Sequence, residues 1–144
     1  MSSKGFIGLG VMGSAMAGHI SNKYSNLIVY NRNIDKANSW VKDNGGLAVT
    51  NASEVGELCK QVFLCVGNDV DVKEVVSGKD GILQTMKKGG VIVDHTTISA
   101  DVSKELSELC SLKGIGFIDA PVSGGQAGAE SGQLTVMAGG EEKY

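Results

Sequence analysis

The sequence predicts an α/β domain built on a doubly wound, mostly parallel sheet, and three observations predict it. Short apolar runs alternate with segments of helical periodicity along the whole chain. The 21 glycines, against a single proline, fall singly or in pairs between those runs, where tight strand-to-helix turns need them. The first apolar run opens directly into Gly8-Leu9-Gly10-Val11-Met12-Gly13, and a helical segment and a second strand follow it. Successive βαβ units wind right-handed and lay their strands parallel.

Each element has its own signal. Residues 5–9 form a short buried strand, and Met12, Met16 and Ile20 then repeat at helical spacing. Residues 27–30 are a second apolar run. The next helix carries Ile34, Ala37 and Val41 on one face and stops at Asn44-Gly45-Gly46. Asn51, with Glu54 three residues on, has the form of an N-cap and its capping-box acid, opening a short helix through Leu58. Residues 61–66 are a continuous apolar strand of the kind covered on both faces. A short helical stretch over 72–76 and a strand over 90–94 follow. Ser99 caps a helix carrying Val102, Leu106, Leu109 and Leu112, which Lys113-Gly114 closes. Residues 116–120 and 134–138 complete the strands.

The bulk properties narrow the function classes. A chain of 144 residues with 42% hydrophobic and 20% charged residues has the composition of one globular domain, here residues 1–144. The net charge of −3 and the lack of a Lys/Arg run argue against nucleic acid. No apolar run approaches the roughly 20 residues of a membrane span, and nothing at the N-terminus has the order of a secretory signal. The three cysteines, Cys59, Cys65 and Cys110, lack metal-ligand spacing. Reduced thiols and a cytoplasmic location are the expectation, with no metal site.

The glycine turn carries the chemistry. In a Rossmann-type fold the first glycine makes the tight turn and the second admits a pyrophosphate to the backbone. The third lets helix and strand pack closely. The helix N-terminus then presents N–H groups and a positive dipole end to the phosphates. Gly8, Leu9, Gly10, Val11, Met12 and Gly13 are therefore candidate cofactor residues. The second strand ends in Tyr30-Asn31-Arg32. A carboxylate here would accept the ribose hydroxyls of NAD and repel a 2′-phosphate, whereas Asn31 does not repel it and the Arg32 guanidinium can pair with it. Asn33 and Lys36 add a donor and a charge. NADP is favoured, with NAD remaining possible.

The run from Phe6 through Gly8-Leu9-Gly10-Val11-Met12-Gly13 to His19 resembles the signature of the β-hydroxyacid dehydrogenases. These include 3-hydroxyisobutyrate dehydrogenase, semialdehyde reductases and the more distant 6-phosphogluconate dehydrogenase. Asp119-Ala120-Pro121-Val122-Ser123-Gly124-Gly125 is similar to the family's substrate motif, and Gly132-Gln133-Leu134-Thr135-Val136-Met137-Ala138-Gly139-Gly140 continues as the family does. The resemblance implies that Val66, Gly67 and Asp71 flank the cofactor and that Thr97 lies near the nicotinamide. It implies that Ser123, Gly124 and Gly125 hold a small substrate's carboxylate, and successive glycine N–H groups with a hydroxyl can form such an anion nest.

The resemblance also implies what lies elsewhere. The family's catalytic Lys and its neighbouring Asn sit on a later helix, beyond Tyr144, and Lys143 matches no motif. A helical second domain completes the active site and much of the interface of a homo-oligomer. Residues 1–144 are thus expected to be a cofactor-binding domain left incomplete at its C-terminal end, as a fragment or a truncated reading frame, with no catalytic residue of its own. The implied reaction is hydride transfer to or from a small 3-hydroxy acid or semialdehyde. Alternatives are a cofactor-binding module without turnover, and a relative of the imine reductases, which share the glycine signature. His95 is expected to line a pocket or loop, His19 to make a structural hydrogen bond, and Cys59 and Cys65 to pack in the core.

Overall fold

The structure is a computed structural model and describes residues 3–144. In chain order the elements are β1 (Ser3–Ile7), α1 (Val11–Lys23), β2 (Ile28–Tyr30), α2 (Ile34–Asn44), β3 (Leu47–Ala48), α3 (Ala52–Leu58) and β4 (Cys59–Leu64). They continue with α4 (Asp69–Ser77), a 3-10 turn (Ile82–Gln84), β5 (Val91–Asp94), α5 (Ala100–Leu112) and β6 (Gly116–Asp119). The last are β7 (Val122–Ser123), α6 (Gly125–Ser131) and β8 (Thr135–Val136).

Six strands form one sheet in the order β3-β2-β1-β4-β5-β6, and every pairing within it is parallel. This is the doubly wound order expected of the fold class. Strand periodicity of two divides the apolar residues between the faces. Ile7, Ile28, Val62, Leu64 and Ile92 pack with Val55, Val72, Val76, Leu106 and Cys110 of α3, α4 and α5. Phe6, Val29 and the half-buried Phe63 pack on the other face with Ala17 of α1 and with Ala37 and Trp40 of α2. The Trp40 indole N–H donates to the Ser14 carbonyl at 3.1 Å, which ties α2 to α1.

Several boundaries differ from the sequence expectation. The first strand ends at Ile7 rather than residue 9, because the backbone turns at Gly8 with φ +98°. The edge strand β3 carried no readable signal, being two residues long with Leu47 half exposed. The helix expected over 72–76 runs Asp69–Ser77, because the Asn68 side chain caps it. Residues 134–138 do not join the parallel sheet. Only Thr135–Val136 is extended, pairing antiparallel with β7, while Gly139 bridges antiparallel to Asp119. Helix α6 was missed, since Gly125–Ser131 has a single buried residue, Ala129, and no apolar stripe. Among the described residues no helix is long and apolar enough to cross a membrane, and no cluster of His, Cys, Asp or Glu could hold a metal.

Leu64, fully buried at the end of the central strand β4, anchors the larger core cluster. Leu64→Ala is expected to lower unfolding stability by about 3 kcal/mol, read as a lower urea midpoint at unchanged slope.

Candidate functional site

Strand order reverses between β1 and β4: from β1 the chain passes to β2 on one side, and from β4 to β5 on the other. Connections leaving the two carboxyl ends in opposite directions open a crevice there. Gly8 opens the turn with its left-handed φ of +98°, and a Cβ on it would run into the Cys65 carbonyl. A Cβ on Gly13 would run into the Gly8 carbonyl, so α1 sits directly on the strand end. Gly10 differs from both, since a Cβ there would meet nothing within 4 Å. Its missing side chain opens the backbone outward, as an approaching phosphate requires.

The helix ends around this crevice are not alike. Asn33, Asn51, Asn68 and Ser99 each cap the helix that follows with a side-chain oxygen. Helix α1 begins after Gly10 with no side-chain cap and no acid in its first turn. The leading N–H groups of a helix have no acceptor within it, so those of Val11, Met12 and Gly13 face the crevice with the positive dipole end behind them.

The crevice is a cleft of about 560 Å³. It gathers eleven of the cofactor residues expected from sequence: Gly8, Gly10, Val11, Met12, Gly13, Asn31, Arg32, Asn33, Val66, Gly67 and Asp71. Leu9 is not among them. Its side chain is buried against α1 and α2, and its N–H donates to Asn31 Oδ1 at 2.9 Å, so it fixes the turn instead. The Asn31 amide also donates to the Asn33 carbonyl at 3.0 Å. Asn33 Oδ1 is occupied as the cap of α2, accepting from Asp35 N–H at 3.0 Å. These two asparagines shape the loop more than they offer free groups. Arg32 stands out from it, 80% exposed, with Nη2 at 2.5 Å from Asp71 Oδ1. Lys36 lines an adjoining cleft of about 420 Å³ with Ser39 and Trp40.

The opposite wall is held by a chain of hydrogen bonds that sequence reasoning did not find. The Val66 N–H donates to Thr96 Oγ1 at 2.9 Å, and the Thr96 N–H donates to Asp94 Oδ1 at 2.9 Å. Asp94 is fully buried and Thr96 nearly so. Asp94 and Asp119 are register partners on β5 and β6, and Asp94 Oδ2 and Asp119 Oδ1 lack hydrogen-bond partners among the described residues. Burial pushes the Asp94 carboxyl up to about 6, with the neighbouring Asp119 adding to burial while the bonds from Thr96 oppose it. Burial raises Asp119 as well. A polar residue closing an apolar strand was the available signal, since a buried carboxylate there needs partners.

The remaining candidates lie around this frame. Thr97 is exposed just past Thr96 and is not part of the cleft wall. His95 Nδ1 donates to the Ala120 carbonyl at 2.8 Å, and its ring stacks on Phe63. Burial holds the imidazole below its usual pKa, against the Ala120 bond, which fits a neutral ring in a structural place. Cys59 and Cys110 are buried, with thiols raised by burial to about 11 and about 12. Cys65 borders the cleft, and burial followed by the Asp94 charge raises its thiol too. None of the three is a ready nucleophile.

Ser123, Gly124 and Gly125 are exposed at the junction of β7 and α6, outside the cleft. Gly124 and Gly125 have φ of +132° and +60°, conformations that side chains resist. Helix α6 packs on α1, and His19 Nε2 donates to the Ala129 and Glu130 carbonyls at 2.8 and 3.1 Å. His19 therefore closes the C-terminal end of α6 and links the glycine-turn helix to the Ser-Gly-Gly segment.

Residues 3–144 match the family described as the NAD binding domain of 6-phosphogluconate dehydrogenase. The chain belongs to that family. It is 48% identical over 144 residues to an uncharacterised oxidoreductase of Shewanella frigidimarina, covering 100% of this chain and 50% of that protein. It is 40% identical over 145 residues to mitochondrial 3-hydroxyisobutyrate dehydrogenase of Mus musculus, covering 99% of this chain and 43% of that one. Among solved structures, Mycobacterium tuberculosis 3-hydroxyisobutyrate dehydrogenase with L-serine superposes with a TM-score of 0.89 at 26% identity, over 99% of this chain and 48% of that chain. The chain thus spans about half the length of the relatives it matches.

Two outcomes test the site. Gly13→Ala is expected to push α1 off the strand end, costing about 2 kcal/mol and abolishing dinucleotide binding, as read by urea melts and fluorescence titration. Folded Asp94 titrates near 6 against a reference of 3.8, so the folded state holds this proton more tightly. Its contribution to stability is present at low pH and is lost as pH rises through about 4 to 6. Asp94→Asn is therefore expected to match the wild type near pH 4 and to exceed its stability by about 2–3 kcal/mol at pH 8. Parallel pH dependences for the two proteins in urea denaturation would refute this.

Proposed function

We propose that the chain is the cofactor-binding half of an NADP-dependent β-hydroxyacid dehydrogenase acting on a small 3-hydroxy acid or semialdehyde. The observation that carries the cofactor assignment is the uncapped, acid-free start of α1 behind the open backbone of Gly10. That arrangement suits a pyrophosphate. Preference for the 2′-phosphate rests on Arg32, which projects from the cleft rim where a carboxylate would otherwise select the ribose hydroxyls. The nicotinamide, when bound, supplies the hydride chemistry. The chain's own residues bind and orient: the α1 N–H groups take the diphosphate, and Val66, held by Thr96, walls the inner side.

In the same reading Ser123, Gly124 and Gly125 capture the substrate carboxylate, the positive φ of Gly124 and Gly125 suiting a nest of backbone N–H groups. That nest favours an acid substrate over an imine, which has no carboxylate to hold. The proton donor is a Lys beyond Tyr144, on a helical domain that also builds a homo-oligomer in the cytoplasm. The isolated chain accordingly binds cofactor without turnover.

The test is a fluorescence titration of this chain with NADPH and NADH, beside an assay with 3-hydroxyisobutyrate. Binding of NADPH at least about tenfold tighter than NADH, with no turnover, is the expected result, one guanidinium–phosphate pair being enough for that margin. Tighter NADH binding would reverse the cofactor assignment, and measurable turnover would refute the missing-lysine reading.

A further inference from the structure

Arg32 is the only arginine in the sequence, and its guanidinium is engaged by Asp71. The two residues come from opposite walls of the cleft. Arg32 follows β2, whereas Asp71 lies in the first turn of α4 beyond β4, and β1 with its glycine turn runs between them in the sheet. The 2.5 Å contact therefore spans the cleft mouth.

The carboxylate end of this contact is fixed and the guanidinium end is not. The Asp71 N–H donates to Asn68 Oδ1 at 3.0 Å, which seats the residue in the capped first turn of α4. Asp71 Oδ2 lies in the space that a Cβ on Gly67 would fill, so glycine there lets the carboxylate fold inward. The Asp71 side chain is 22% exposed against 80% for Arg32. An ion pair with one partner so exposed adds little to stability. Its consequence is instead to decide where the guanidinium stands. Glu74, one turn further along α4, lines the same cleft and adds negative charge to that wall.

We propose that Asp71 is a specificity-determining residue: it latches Arg32 across the cleft mouth and thereby lowers the preference for a 2′-phosphorylated dinucleotide over the unphosphorylated one. This rests on the reading that Arg32 meets the 2′-phosphate. The phosphate must draw the guanidinium away from Asp71 before it can form a paired, charge-assisted contact. The unphosphorylated ribose carries no charge and does not need the guanidinium, so the latch leaves its affinity unchanged. The latch is thus a penalty applied to one dinucleotide and not the other.

The test is a double-mutant cycle on this chain, read as Kd for NADPH and NADH by fluorescence titration. Asp71→Asn is expected to tighten NADPH about fivefold relative to NADH. Asp71→Ser gives the same shift, which covers any disturbance of the α4 cap, and thermal melts show that each variant is folded. Arg32→Ala weakens NADPH about tenfold more than it weakens NADH. In the Arg32→Ala background, Asp71→Asn changes NADPH affinity less than about twofold, because no guanidinium is left to release. A full fivefold gain in that background would overturn the latch in favour of simple repulsion. Unchanged NADPH affinity in both Asp71 variants, with Arg32→Ala still selective, would overturn the latch and leave the cofactor reading standing. Equal effects of Arg32→Ala on the two dinucleotides would overturn that reading and the latch with it.

Discussion

The arrangement at the carboxyl end of the sheet depends on the backbone contact between Gly13 and Gly8. With no side chain on Gly13, α1 starts directly against the end of β1, and its leading N–H groups come to the edge of the cleft. A single methyl group at that position would displace the whole helix. Because α1 also carries Trp40 of α2 through the Ser14 carbonyl and α6 through His19, its seating sets the position of three helices. The phosphate-binding geometry and the packing of one face of the sheet are one constraint.

The two walls of the cleft are stabilised by different means. On the β2 side the loop is fastened by asparagine side chains, Asn31 to Leu9 and Asn33 to the start of α2. These neutral, mostly local bonds leave the Arg32 guanidinium to the Asp71 carboxylate on the far wall. On the β4 side the wall is fastened through buried groups, from Val66 to Thr96 to Asp94. That side is pH-sensitive, since its anchor is a carboxylate held out of water. A buried, hydrogen-bonded inner wall with an exposed charged rim suits a site that must orient one end of a long cofactor and recognise the other.

Much of the fold was legible because its signals are local. The Asn51 cap, the stop at Asn44-Gly45-Gly46 and the glycine turn each depend on neighbouring residues in the chain. The strands that were missed or misplaced are those defined by a partner. Residues 47–48 are a strand only because Leu47 N–H finds the Leu27 carbonyl. Residues 134–138 looked like a further sheet strand, yet β8 pairs with β7 in a separate ribbon. Helix α6 lacks an apolar stripe, and its place follows from packing on α1.

The sequence by itself determined the doubly wound fold class and the glycine turn, because spacing and residue type suffice for these, and the family resemblance added Val66, Gly67 and Asp71 to the cleft. Only the tertiary structure decided what those residues do there. Leu9, inside the glycine turn, and Asn31, 22 positions further along the chain, bond to each other and hold the turn. Arg32 and Asp71 stand 39 positions apart and meet across the cleft. Asp94 and Asp119 sit on separate strands and become partners only through the register of β5 and β6. Hydrogen bonds and ion pairs depend on distance in space, and the chain order does not carry that distance until the sheet has closed.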